Sequence, residues 1–415
     1  MTKARDLANI ISGGFDATDI PNLDTAKITS GTFTDARLPA TALNSNVDLT
    51  NLSASNLTSG TVADARLPST ALNSNVSVPN QSAFKNIIIN GDMSQSQRGS
   101  SQASITSNGY YTADRMNIMN EGIGTFTVSQ STDVPSGQGF AKSMKFDCTT
   151  ANASPSSGFL GVGQSIEGQN LQYLKKGTSN AESLTLSFWI KSNKTGTYVV
   201  ELYDPDNNRT IAQSYTISSA STWEKKTLTF VGDTTGALDN DNNNSLRVNI
   251  LFGAGTEYTS GSLQTAWGSR SNTRRAVGQV NLADNTSNEL YITGIQLEAG
   301  QTATEFEFLP NDINKNRCYR YFQKLSVVLM NFNTTGLLGF VFPVEMRANP
   351  SVSRSYSGNA NRMYNVGNAA TADVSSPTTI VSKQTIRYWY AFSPSAWATS
   401  TRSGWETEYS IDAEL

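Results

Sequence analysis

Residues 289–324 read ELYITGIQLEAGQTATEFEFLPNDINKNRCYRYFQK, and the apolar period changes half-way along them. Leu290 and Ile292 set one alternating phase; Gly294 then inserts a residue, and Ile295 and Leu297 continue on the shifted phase. An extra residue between two alternating halves is how a β-bulge reads in sequence, and a bulge re-aims a strand without ending it. Beyond Pro310 the spacing lengthens. Asn311 or Asp312 is placed to cap a short helix, and Ile313, Cys318, Tyr321, Phe322 and Leu325 fall roughly on one face of it. The stretch therefore closes one module with a bulged strand and opens the next with a helix.

Upstream, alternation recurs at Leu184, Leu186, Phe188 and Ile190, at Val200 and Leu202, at Leu228 and Phe230, and at Leu246, Val248, Ile250 and Phe252. Short alternating strands punctuated by turns are what a two-sheet antiparallel sandwich requires, each burying one face. At 415 residues the chain exceeds what one core usually supports, so two or three modules are expected. Only 16% of residues are charged and the net charge is −3, which gives no electrostatic footprint for nucleic acid. No segment approaches a membrane span, and residues 1–11 lack the apolar core of a secretory leader, so folding in a cytoplasm is expected.

The N-terminal part is repetitive. TSGT from Thr29, DARLP from Asp35 and TALNSNV from Thr41 recur from Thr58, Asp64 and Thr70, a 29-residue shift. Large apolar residues fall every fifth position, at Leu23, Ile28, Phe33, Leu38 and Leu43 and then from Leu52 to Leu72, which fits neither a helix nor a strand. One buried residue in five is too little to offset the roughly 1–2 kcal/mol per residue of ordering a backbone, so any folded form must share its core. Three chains around one axis, or one chain coiled as a pentapeptide-type β-helix, would do so; a disordered spacer is the third reading.

Several stretches resemble phage tail-fibre and receptor-binding proteins: ITGIQLEAGQTATEFEF followed by RCYRYFQK, the openings FKNIIINGD and YYTADR, the blocks LTLSFWIKSNKTGTY and STWEKKTLTF, the EMRANP run with Met346, Arg347 and Pro350, and the ending YSIDAEL. The resemblance implies an all-β chain with a repeat-containing N-terminal fibre shaft, a jelly-roll-like antiparallel β-sandwich of carbohydrate-binding type, a short connecting helix and a second small C-terminal β-domain. The boundaries follow as a particle-attachment segment at 1–18, the repeat shaft at 19–80, the sandwich at 84–310, the helix at 311–325 and the tip at 326–415. The DARLP and SGT repeats resemble trimeric fibre linkers, which favours three chains.

The chemistry is narrow. Histidine is absent, which removes Ser-His and Cys-His triads and the commonest zinc ligand. Cys148 and Cys318 form no spaced motif and read as two buried thiols. Asp114 and Arg115 read as structural. No cofactor is expected, with Ca²⁺ the one ion the acidic loops would suit, through Asp204 and Asp206 and through Asp239 and Asp241. Asx residues also populate turns for backbone reasons, and the missing EF-hand glycine and terminal glutamate weigh toward turns.

A sugar site needs an aromatic plane flanked by polar groups, because the C–H face packs on a ring while the hydroxyls need partners. Trp267 beside Arg270 fits this in the sandwich, and Arg362, Tyr364, Trp397 and Arg402 fit it in the tip, whereas Trp189 and Trp223 read as core. The expected function is adsorption of a phage to a host polysaccharide or lipopolysaccharide by a non-enzymatic homotrimer. It would be held to tail or baseplate proteins through its N-terminus, without nucleic acid or membrane insertion, assembled in the host cytoplasm and carried in the virion. The alternatives are a depolymerase, for which Glu305 and Glu307, two apart and so on one face of a strand, are the candidate carboxyl pair, and a structural neck or baseplate fibre.

Overall fold

The computed structural model describes residues 3–5, Ala8, Ser12 and residues 84–415 except 331–334, 356–361, 366–370 and 393–403; for much of the last sheet it describes strands and not side chains. The repeat shaft at 19–80 lies outside the described residues, and the particle-attachment segment at 1–18 is described only at the five N-terminal positions just given, all of them helical.

In chain order the strands are β1 (Ser101–Ile105), β2 (Gly109–Tyr110), β3 (Asn117–Asn120), β4 (Thr125–Ser131), β5 (Ser143–Thr150), β6 (Phe159–Glu167) and β7 (Leu184–Ser192). There follow β8 (Gly196–Asp204), β9 (Arg209–Ile217), β10 (Glu224–Phe230), β11 (Asn244–Ala254), β12 (Gly268–Ser269) and β13 (Glu289–Ala299). They form two sheets, ordered β1-β4-β5-β13-β7-β10 and β12-β9-β8-β11-β6-β3-β2. Every ladder in both is antiparallel, and the chain passes repeatedly from one sheet to the other, as in a jelly roll.

The alternating residues of the sequence all enter one core. Leu186, Phe188 and Ile190 of β7 lie under Val248, Ile250 and Phe252 of β11, all at or near zero exposure. Two aromatic pairs stitch the sheets together: Phe146 of β5 against Phe252 at 5.0 Å, and Phe188 against Tyr215 of β9 at 5.2 Å, both edge to face.

The bulge lies where the spacing places it. The β13–β7 register shifts between Thr293 and Gln296, and Gly294 has φ +65°, while Leu290, Ile292, Ile295 and Leu297 all face the core. Before the bulge β13 pairs with β5 on its other side; past it, that side is taken by residues 86–91. Ile87 donates its N–H to the Leu297 carbonyl at 2.9 Å, and Ile295 donates to the Gly91 carbonyl at 3.0 Å. Asn86 completes the exchange, its side chain accepting from Leu297 N at 3.1 Å and donating to the Ile295 carbonyl at 3.1 Å. The approach is close: a Cβ on Gly91 would lie 2.0 Å from the Ile295 oxygen.

Helix α1 (Asn311–Tyr319) begins the remainder. It is shorter than the expected 311–325, and Pro310 occupies the N-cap position with no side-chain cap, so neither Asn311 nor Asp312 caps it. Tyr321 lies in a turn and Phe322 already belongs to the next strand. The residues that α1 buries are Asn314 and Cys318, and Asn314 donates to Ser94 Oγ at 3.1 Å and Asp92 Oδ1 at 3.3 Å. The helix is therefore docked on the 86–95 segment largely by polar contacts, which an apolar-face reading does not see.

Strands β14 (Phe322–Met330), β15 (Thr335–Val341), β16 (Ser351–Ser355), β17 (Arg362–Asn365), β18 (Thr371–Val381), β19 (Thr385–Phe392) and β20 (Gly404–Asp412) make a third sheet in the order β14-β20-β17-β18-β19-β15, with β16 also on β20. Cys148 and Cys318 are both free and buried.

Gly294→Ala should destabilise the sandwich by about 1–2 kcal/mol, because it forces an L side chain to positive φ and sets its Cβ 2.6 Å from Phe140 Cζ. Urea unfolding of the full chain measures this; an unchanged midpoint would show that the bulge is not the constraint it is taken to be.

Candidate functional site

A cavity of about 400 Å³, within the range of ligand sites, opens beside β6. Its floor is Gln164, Ser165 and Ile166 of β6, one wall is the 86–89 segment that the bulge admits, and the other is α1 with the turn that follows it. The exposed ring of Tyr173, 51% accessible, stands at the rim together with Phe84.

Each wall is held by hydrogen bonds that the local sequence dictates. Asn90 sits at φ +61° and its amide donates to the Gln95 and Asp114 carbonyls, both at 2.9 Å, which folds the IIINGD turn back on itself. Gln164, an amide buried mid-strand, meets both backbone groups of Ile89, accepting at 2.8 Å and donating at 2.9 Å. The turn after α1 delivers Tyr321, whose hydroxyl donates to Glu167 Oε1 at 2.5 Å, and Arg320, whose Nε and Nη2 fork onto the Glu167 carboxylate at 2.7 and 2.6 Å.

Arg115 lies fully buried behind this turn, stacked 3.5 Å above the Tyr321 ring. It pairs with Glu414 and donates to the Ser165 carbonyl at 2.6 Å. Arg98 reaches the same acidic end of the chain, at 2.9 Å from Asp412 and 3.3 Å from Glu414. Arg347, singled out in the EMRANP run, spans from the Ala413 carbonyl at 2.8 Å to the Asn242 carbonyl at 3.1 Å. Several of the stretches that suggested a family, those holding Arg115, Tyr321, Arg347 and Glu414, thus join the sandwich to the third sheet around the cavity. Arg115 is structural as expected, but its carboxylate partner comes from beyond β20 and not from within the sandwich.

Burial alone would raise the Glu167 carboxyl, but the hydrogen bonds and charge of Arg320, with the Tyr321 hydroxyl, outweigh it and hold the group below the usual carboxylate range. Burial pushes the Tyr321 hydroxyl up to about 12, so it stays a donor.

The sequence-derived candidates are scattered. Trp267 is half-buried against the core, its Nε1 donates to the Val231 carbonyl at 2.8 Å, and Lys176 lies 5.4 Å from its ring, so it is a packing residue more than an open plane. Arg270 stacks 4.6 Å over Tyr203. Neither lines the cavity. Arg362 and Tyr364 are on β17 with undescribed side chains, and Trp397 and Arg402 lie outside the described residues.

The acidic loops close turns. Asp204 is fully buried against Lys176 and accepts from Asn207 N at 3.0 Å; Asp206 accepts from Asp239 N at 2.9 Å; Asp241 accepts from Asn243 N at 2.9 Å. Among the described residues no three acidic or thiol groups gather at either loop. Glu305 and Glu307 follow β13 in a loop and not on a strand, and both Glu307 oxygens accept backbone N–H groups, of Phe84 at 2.5 Å and Asn86 at 2.9 Å.

Trp189 and Trp223 are not core. Both are half-buried on the outer face of the first sheet, where Trp223, Lys191 and Tyr291 adjoin and Lys191 lies 4.3 Å over the Tyr291 ring. The signal was present: Trp189 has the opposite parity to Phe188 and Ile190. The outer face of the second sheet is roofed by the 255–284 segment through a buried fork of Arg275 on Glu201 at 2.6 and 2.8 Å. The cavity itself was out of reach of sequence, since its walls are more than 200 positions apart.

No protein-family model matches the sequence, and no curated protein matches it either. Among solved structures, the enzymatically active domain of bacteriophage CBA120 tailspike protein 4 matches at 14% identity and a TM-score of 0.29, covering 52% of this chain and 22% of that one. The family 11 carbohydrate-binding module of Clostridium thermocellum, in complex with a β-1,3-1,4-mixed-linked tetrasaccharide, matches at 13% identity and 0.26, covering 49% and 98%. TmCBM61 with β-1,4-galactotriose matches at 9% and 0.26, covering 52% and 98%. Overlaps this partial carry no argument about function.

Because the folded-state pKa of Glu167 is depressed, its stabilisation is present above the unfolded carboxyl value of about 4.3 and is lost as pH falls through the lower folded value. Glu167→Gln should cost about 2–3 kcal/mol at pH 7, since Arg320 is left without its carboxylate, and should flatten part of the fall in melting temperature below about pH 4. Thermal melts of both forms from about pH 3 to 7 check it; parallel curves would remove Glu167 from the acid response.

Proposed function

We propose that this chain is a phage tail-fibre or receptor-binding protein that holds a host-surface glycan in the junction cavity. The observation that carries the reading is the cavity itself: a sugar-sized space with an exposed tyrosine ring at its rim and polar side chains in its wall. A ring face takes the C–H side of a pyranose, while Asn170 and Gln169, exposed at the mouth, offer both donors and acceptors to its hydroxyls. The tail-fibre part of the reading is supported by the N-terminal repeat and by the resembling stretches, several of which lie at the junction.

The binding is read as non-hydrolytic. Glycoside hydrolysis uses a carboxylic acid with a raised pKa opposite a second carboxylate. Glu167, buried behind Arg320 and Tyr321, is held ionised and has its oxygens occupied, and Glu307 is spent on backbone N–H groups. The resemblance of the SGT and DARLP repeats to trimeric fibre linkers supports assembly of three chains, and three weak sites on one fibre would gain avidity without new contacts.

Full-length protein should sediment as a trimer and retain host envelope polysaccharide on an array, without releasing new reducing ends. Tyr173→Ala should weaken retention about tenfold, as expected for loss of one stacking ring. A protein that recognises no envelope saccharide sinks the reading, and new reducing ends would replace it with a depolymerase.

A further inference from the structure

The cations around the cavity are not equally satisfied. Arg115 is neutralised by Glu414 and Arg320 by Glu167. Arg317, half-buried on α1, has no carboxylate within ion-pair distance among the described residues. Its Nη2 makes one long contact to the Asn86 carbonyl at 3.3 Å, and its Nη1 is buried without an acceptor. Glu307, the acid whose field reaches it, has both oxygens engaged by Phe84 and Asn86.

Burial works against this guanidinium, yet arginine does not give up its proton in a protein. Arg317 lines the cavity as a partly desolvated positive charge without a carboxylate partner, so an anion in the cavity meets a cation whose desolvation has already been met by folding. The planar fork of arginine suits the two oxygens of a carboxylate or phosphate. The competing surface, on the outer face of the first sheet, lacks this feature at its centre: Lys191 and Lys145 are ion-paired with Asp133 and Glu289.

We propose that the cavity selects an anionic saccharide, with the ring on Tyr173 and a carboxylate or phosphate of the ligand on Arg317. The inference rests on the glycan reading above, and it adds a charge requirement that the glycan reading does not need.

Calorimetric titration of the full chain with tri-galacturonate, with its neutral counterpart galactotriose and with glucose 6-phosphate tests it. An acidic sugar should bind at least about tenfold tighter than the neutral one and weaken with added salt. Arg317→Gln should erase that preference, so that the acidic and the neutral sugar bind with equal affinity. Arg317→Lys, which keeps the charge and loses the fork, should retain part of it and guards against a folding defect in the first variant. The tighter of uronate and phosphate names the source of the anion. Equal affinity for charged and neutral sugars, or a preference that survives Arg317→Gln, overturns the charge proposal and leaves glycan binding standing. Failure of every saccharide to bind overturns both.

Discussion

Two arginine–carboxylate pairs, Arg115 with Glu414 and Arg320 with Glu167, meet where the sandwich joins the third sheet, and they hold because breaking a buried pair leaves its remaining charge uncompensated in a low dielectric. Arg115 has essentially no exposure and Glu167 has none, so each needs its partner, and in both cases the partner comes from beyond β13. Glu414 is supplied past β20, Arg320 by the turn after α1. Removing either would strand a charge inside the sandwich. The sandwich and the last sheet are therefore coupled by electrostatic necessity as well as by contact, with Arg347 tying the same end of the chain to the Asn242 loop.

That coupling depends in turn on a backbone event 20 residues or so earlier. The Gly294 bulge turns β13 away from β5 and opens a position that residues 86–91 fill. The same residues then form one wall of the cavity and the seat of α1, through Asn90, Asp92 and Ser94. A single inserted residue thus creates the space in which a ligand could sit, and the charged network fixes the opposite wall. Rigid elements on both sides suit a binding site that need not reorganise.

How far the sequence could be read depends on the range of the interaction. Parity along a strand is local, so Leu186, Phe188, Ile190, Val248, Ile250 and Phe252 were legible as core, and the phase slip at Gly294 was legible as a bulge. Trp189 was legible by the same parity and was misassigned because tryptophan is large and apolar. The extent of α1 was not legible: Tyr321, Phe322 and Leu325 keep a helical spacing by coincidence, while Phe322 and Leu325 are already committed to pairing with Asp412 and Tyr409. The DNDNNN loop looked like a cation cage because Asp and Asn serve both turns and metals, and its use as a turn beside Arg347 depends on residues 100 positions away.

By itself, then, the sequence determined an all-β chain, its antiparallel sandwich, its bulge, its free buried thiols and its lack of histidine chemistry. These follow from composition and from periodicities that act over a few residues. Tertiary structure alone decided which of the cavity's arginines are neutralised by a carboxylate among the described residues. Arg115, Arg317 and Arg320 look alike in the sequence, and only the approach of Glu414 and Glu167 from distant segments distinguishes them. Charge pairing in a buried site is a property of three-dimensional distance, and sequence separation carries almost no information about it.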